Sequence, residues 1–91
     1  MYRITDYTKA KAKSLGVEVK PSSNPKKKID VFKQSKKIAT VGDINYFDYP
    51  SYIREKGLKY ANERRRLYDM RHKNDMNVKG TNGFYSKRLL W

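Results

Sequence analysis

Pro50 to Asp75 reads PSYIREKGLKYANERRRLYDMRHKND, and the remainder of the chain takes its place around this run. At about 100° per residue, Ile53, Tyr60, Ala61, Leu67 and Tyr68 fall on one face. The pattern predicts one long helix, bent at Gly57, with that face packed against something. Arg64 and Arg71 project into the middle of the same face. An arginine there must carry its aliphatic stem out to water, stack on a ring, or meet an anion. The opposite face, with Glu55, Lys59, Asn62, Arg66, Asp69 and Lys73, reads as solvated surface.

On the N-terminal side, Asp48 is suited to cap this helix and Pro50 to its first turn, with Ser51 the rival cap. Ile44 to Tyr49, INYFDY, is a loop whose rings (Tyr46, Phe47, Tyr49) are expected to plug the gap between helix and sheet. Ile29 to Lys33 and Lys37 to Val41 predict a hairpin with Gln34-Ser35-Lys36 as its turn, ended by Gly42-Asp43. Two strands alone are marginal, so the long helix or a third strand from Val17 to Lys20 must cover one face. Lys26, Lys27 and Lys28 stand directly before the first strand. They either solubilise and protect an edge or contact a phosphate, and both readings stand. Pro21 to Pro25, PSSNP, is a turn or linker. Thr5 or Asp6 caps a short helix from Tyr7 to Leu15, and Gly16 stops it. Lys9, Lys11 and Lys13 spread around that helix. Residues 1–25 are therefore read as a basic, flexible arm, and residues 26–91 as one compact domain.

On the C-terminal side, Gly80-Thr81-Asn82-Gly83 signals a turn. The tail from Phe84 to Trp91 is apolar enough to fold back and close the core, as one helical turn. Its alternative is a protruding anchor for a partner. The expected class is α+β: a hairpin, with a third strand in reserve, packed on one Arg-rich helix between a short N-terminal helix and an aromatic tail.

Ninety-one residues at 37% hydrophobic allow a single small core, and eight Tyr beside three Phe and one Trp supply much of it. With no Cys and one His, disulfides and a dedicated zinc site fall away, and no cofactor is expected. The formal charge is +13, from 22 Lys and Arg against nine Asp and Glu. Such an excess destabilises the folded chain by self-repulsion, so a polyanion partner is the first explanation. No apolar run reaches the roughly 18–20 residues of a membrane span, and no secretory signal is read at the start. The expected setting is intracellular, or inside a particle assembled there.

Arg64-Arg65-Arg66-Leu67-Tyr68, followed by Arg71-His72-Lys73, is the strongest local constellation. Arginine grips a phosphate through two hydrogen bonds, and an adjacent tyrosine offers a face to a base or to the arginine itself. Arg65 and Asp69 stand four apart and can pair, worth only ~0.3–0.5 kcal/mol, which weakens Arg65 as a contact. Arg66 reads as plain surface. Residues 1–41 hold ten Lys and one Arg, whereas residues 42–91 hold five Lys and six Arg. Long-range attraction is thus expected from the first half and positioned contacts from the second. The candidate nucleic-acid contacts are Arg64, Arg65, Arg66, Tyr68, Arg71 and Lys73, with Lys26, Lys27, Lys28, Lys36 and Lys37 on the hairpin. Catalysis has little to stand on. His72 with Asp69 and Asp75 nearby offers a faint nuclease pattern, and no carboxylate cluster suggests a metal. Lys79 with Gly80 and Gly83 is too short for a phosphate-loop fingerprint and reads as a turn.

Ile29-Asp30-Val31-Phe32, Gly42-Asp43, Tyr49-Pro50, Arg64-Arg65-Arg66-Leu67-Tyr68, Arg71-His72, Lys79-Gly80, Gly83-Phe84-Tyr85 and Leu89-Leu90-Trp91 stand in that order. Over roughly residues 26–91 this order resembles a family of small basic proteins of unknown function found in large DNA viruses of eukaryotes and related aquatic viral sequences. The resemblance implies a viral setting, in the virion or the infected cell. It brings no activity residue by residue. The expectation is a non-enzymatic nucleic-acid-binding protein, DNA ahead of RNA, touching backbones rather than bases. The rival is a minor structural or cement protein docked on acidic capsid or other virion proteins, which requires the Leu89-Leu90-Trp91 tail to be exposed.

Overall fold

A computed structural model describes residues 2–91. The elements run α1 (Asp6–Leu15), β1 (Glu18–Pro21), β2 (Lys27–Lys33), β3 (Lys36–Asp43), α2 (Tyr49–Lys56), α3 (Leu58–His72) and α4 (Asn82–Leu90). The three strands form one antiparallel sheet in the order β1-β2-β3, so the fold is α+β with the third strand present. Among the described residues no helix is long and apolar enough to cross a membrane.

The hairpin turn is two residues long rather than three. Gln34 and Ser35 both take positive φ, 52° and 66°, which joins Lys33 directly to Lys36. That left-handed pair matches the twist of the strands, without the usual Asn-Gly. Ile29, Val31, Ala39 and Val41 are buried on the inner face of the sheet, where they cluster with Ala12 of α1 and with Leu89 and Leu90 of α4. Thr8 fastens α1 to α4 by donating to the Leu89 carbonyl at 2.7 Å.

Residues 2–25 are part of this core and do not form a separate arm. Thr5 caps α1, Gly16 ends it with φ 70°, Val17 is buried, and β1 pairs with β2 from Glu18↔Phe32 to Pro21↔Ile29. The PSSNP stretch folds over the outer face of β2. There Ser22 Oγ and Ser23 N donate to Asp30 at 2.7 and 3.2 Å, and Thr40 Oγ1 donates at 2.9 Å. Proline and serine chemistry reads as a linker only when no buried carboxylate waits for its donors.

The expected single helix is two. Gly57 takes φ 92° and ψ 164°, a conformation that no helix can contain, and α3 starts afresh after it. Projection across Gly57 assumed one continuous phase. The break takes Ile53 out of phase with α3 and leaves it exposed; within α3, Ala61 and Tyr68 are buried, while Tyr60, about 80–100° around the helix from them, is exposed. The INYFDY loop also differs from expectation. Tyr49 is buried, but Tyr46 and Phe47 face solvent. The tail folds back as expected, as the nine-residue helix α4 rather than one turn, with Thr81 as its cap and Leu89 and Leu90 fully buried.

Two positions yield measurable consequences. Gly42 has φ 86°, and a Cβ there would lie 2.8 Å from Leu90 Cδ1 and 3.0 Å from Lys28 Cβ. Gly42→Ala is expected to lower unfolding free energy by about 2–4 kcal/mol in urea denaturation, through left-handed strain and overpacking together.

The second consequence is acid sensitivity. Burial pushes the Asp30 carboxyl up, but its hydrogen bonds from Ser22, Thr40 and Ser23, with Lys37 nearby, outweigh this and hold it at about 2. Burial opposes and the Tyr2 hydroxyl, the Lys28 charge and the Ser51 amide prevail at Asp48, which is also lowered. Both groups contribute stability that is complete above the ordinary carboxylate range and lost as pH falls through their folded values. The urea midpoint is therefore expected to hold down to roughly pH 4 and fall steeply toward pH 2, and Asp30→Asn to flatten that slope.

Candidate nucleic-acid interface

Asp48 positions the helical layer. Its Oδ1 accepts the Ser51 amide at 3.0 Å and so caps α2, while its Oδ2 accepts the Tyr2 hydroxyl at 2.6 Å and the Lys28 ammonium at 3.1 Å. Lys28 and Asp48 side chains are 5% and 1% exposed, so this ion pair is desolvated. Lys28 is thereby neutralised, and it is a structural partner more than a free phosphate contact.

From this start α2 and α3 pack on each other through arginines lying on rings. The Arg65 guanidinium sits 3.4 Å over the centre of the Tyr49 ring, and its Nη2 donates to the Tyr7 hydroxyl at 3.2 Å. Arg64 lies 5.5 Å over Tyr52. The Tyr49 hydroxyl donates to Asn62 at 2.6 Å, and Tyr68 donates to Ser86 at 3.0 Å. Trp91 arrives at the end of α4 and stacks on Tyr68, centroids 4.6 Å apart and planes 15° apart; His72 stacks at 4.3 Å on Tyr68. Tyr52 approaches Trp91 at 5.9 Å, Tyr60 at 5.7 Å and Phe47 edge-on at 5.3 Å.

Where sheet, α3 and α4 meet, an open cleft of about 340 Å³ remains. Lys28, Gly42, Asp43, Tyr46, Tyr52, Arg64, Tyr68, Arg71, His72, Ser86, Leu90 and Trp91 line it. Among the described residues Arg64 and Arg71 form no ion pair, and Arg64 Nε is enclosed without a hydrogen-bond partner. Asp43 is the one carboxylate in the lining, and its Oδ1 already accepts the Asn45 amide at 2.9 Å. The wall thus combines ring surface, two guanidinium groups without ion pairs and one acidic side chain.

The expected contact residues divide accordingly. Arg64 and Arg71 share the cleft, and Lys27 lines a smaller hollow that shares Gly42, Tyr68, His72 and Ser86 with it. Tyr68 is 6% exposed and covered by Trp91 and His72, so its ring offers no face to a base. Arg65 is committed inside the fold, and its expected partner Asp69 instead meets Lys87 at 2.6 Å. Arg66 pairs with Glu63 on the surface. Lys37 pairs with Asp30 at 3.4 Å. Lys36 and Lys37 stand at the hairpin turn, about 20 Å along the strands from Lys26 and Lys27. Lys26, Lys36 and Lys73 are exposed and do not line the cleft. His72 lies 3.5 Å from Asp75, while Asp69 is taken by Lys87. Among the described residues no cluster of His, Asp and Glu could hold a metal ion.

Sequence reasoning missed Tyr46, Tyr52 and Trp91 as cleft residues. The aromatic density of INYFDY was a usable signal for Tyr46, once its rings were not assumed to be buried. For Trp91 the apolar tail signalled the fold-back but not its seat on Tyr68, which a long-range packing of α4 on α3 decides. Comparison of the chain with protein-family models, with curated proteins and with solved structures finds no match.

Proposed function

We propose that this protein binds nucleic acid without catalysis, gripping the phosphate backbone independently of sequence. One observation carries the reading: Arg64 and Arg71, free of carboxylates, face a ring-walled cleft in a chain of net charge +13. Exposed lysines supply long-range attraction, and the two arginines supply directed, two-pronged hydrogen bonds. The viral resemblance adds a setting for this activity, on a genome in the virion or the infected cell, with DNA the first polymer to test. A cement role through a protruding tail has less support, because Leu89 and Leu90 are 0% and 1% exposed. A nuclease centred on His72 also has less support, since its ring is stacked on Tyr68.

Gel shift against duplex and single-stranded DNA over a salt series tests the proposal. Affinity is expected to fall linearly on a log–log plot, with a slope near −0.9 per phosphate neutralised on duplex. Arg64→Gln with Arg71→Gln is expected to weaken binding about tenfold or more for every sequence and to reduce the slope by roughly two. Arg66→Gln, which removes a surface pair with Glu63, is expected to change binding much less. Absence of binding at low salt to any nucleic acid refutes the reading.

A further inference from the structure

Resting on the nucleic-acid reading, we propose that the cleft receives one unpaired base of a single strand, with the neighbouring phosphate on Arg64 and Arg71. A phosphate alone would need no cavity; a basic surface suffices for it. A cleft of about 340 Å³ suits a base and its sugar and is far too small to admit a duplex. Its lining also has the wrong chemistry for phosphate alone. Tyr46, Tyr52 and Trp91 bring ring surface, and Tyr46 is 69% exposed, so the fold does not consume it. In a duplex each base face is covered by its neighbours, and such rings have nothing to stack on. In a single strand every base has a free π-face, and stacking is tolerant of sequence. The guanidinium groups of Arg64 and Arg71, which line the cleft without an ion pair, supply donors at the same place. Asp43 supplies an acceptor for a ring N–H of the base, and as the sole acidic side chain beside Arg64 and Arg71 it leaves the lining side chains net positive.

Trp91 is the chain's one tryptophan and lines the cleft, so its fluorescence reports occupancy directly. The full chain is titrated at fixed salt with a short oligothymidylate, with an abasic strand of equal length, and with a duplex of equal length. The oligothymidylate is expected to quench Trp91 and to bind about tenfold more tightly than either competitor. Tyr46→Ala, a change at an exposed loop position checked for folding by circular dichroism, is expected to lower oligothymidylate affinity about tenfold, to that of the abasic strand. Equal affinity for the three probes, or an unchanged preference in Tyr46→Ala, overturns the base-binding proposal while phosphate binding stands. Failure to bind all three overturns both.

Discussion

The Asp48 carboxylate is the point on which the two layers depend. One side chain caps α2, receives the Tyr2 hydroxyl from the N-terminal segment, and neutralises Lys28 of β2. A charge pair this deeply buried is not strong evidence of net stabilisation, because taking both ions out of water costs about as much as their attraction returns. Its effect is to fix geometry. Removing either partner would leave the other charged and buried, so the start of α2 has one place on the sheet. Every later feature of α2 and α3 inherits that placement.

Above this anchor the helical layer is built differently from the sheet layer. Ile29, Val31, Val41, Leu89 and Leu90 make an ordinary aliphatic core. At 37% hydrophobic the chain has few such residues left for a second layer. Tyrosine and arginine replace them. Arg65 lies on Tyr49, Arg64 lies over Tyr52, and Tyr68 is enclosed by Trp91 and His72. Flat groups stacked in this way exclude water while keeping their polar edges within reach of hydroxyls and solvent. Contacts of this kind do not fill space as completely as branched aliphatics do, and the cleft lies beside them.

The local signals in the chain were legible: caps at Thr5 and Asp48, the stop at Gly16, the hairpin of β2 and β3, the apolar weight of the tail. Each depends on residues within a few positions of one another. What escaped depends on residues far apart. Ser22 and Ser23 look like linker until Asp30 is opposite them, and Gly57 looks like a bend until its dihedrals end one helix and start another. The candidate site was legible only in part for the same reason. Adjacent arginines in RRRLY share a sequence neighbourhood but point about 100° apart on a helix. Arg64 therefore reached the cleft, Arg65 the interior and Arg66 the surface.

The distribution of acids decides why the cleft stays positive. Of the nine Asp and Glu, Asp30, Asp48, Glu55, Glu63, Asp69 and Asp75 are each placed against a cation or histidine. Those pairings lie on the outer sheet face, at the start of α2, along the solvent sides of α2 and α3, and where the ends of α3 and α4 meet. Asp43 alone reaches the cleft, and its backbone neighbour already uses one of its oxygens. A surface guanidinium gains little from a carboxylate in water, so no strong energy gradient would place an acid there for stability. Arg64 and Arg71 are then two arginines without an acid, side by side in one cleft. An anion arriving beside the rings would meet two guanidinium groups that have no acid of their own, whereas Arg66 on the open surface already has Glu63 beside it.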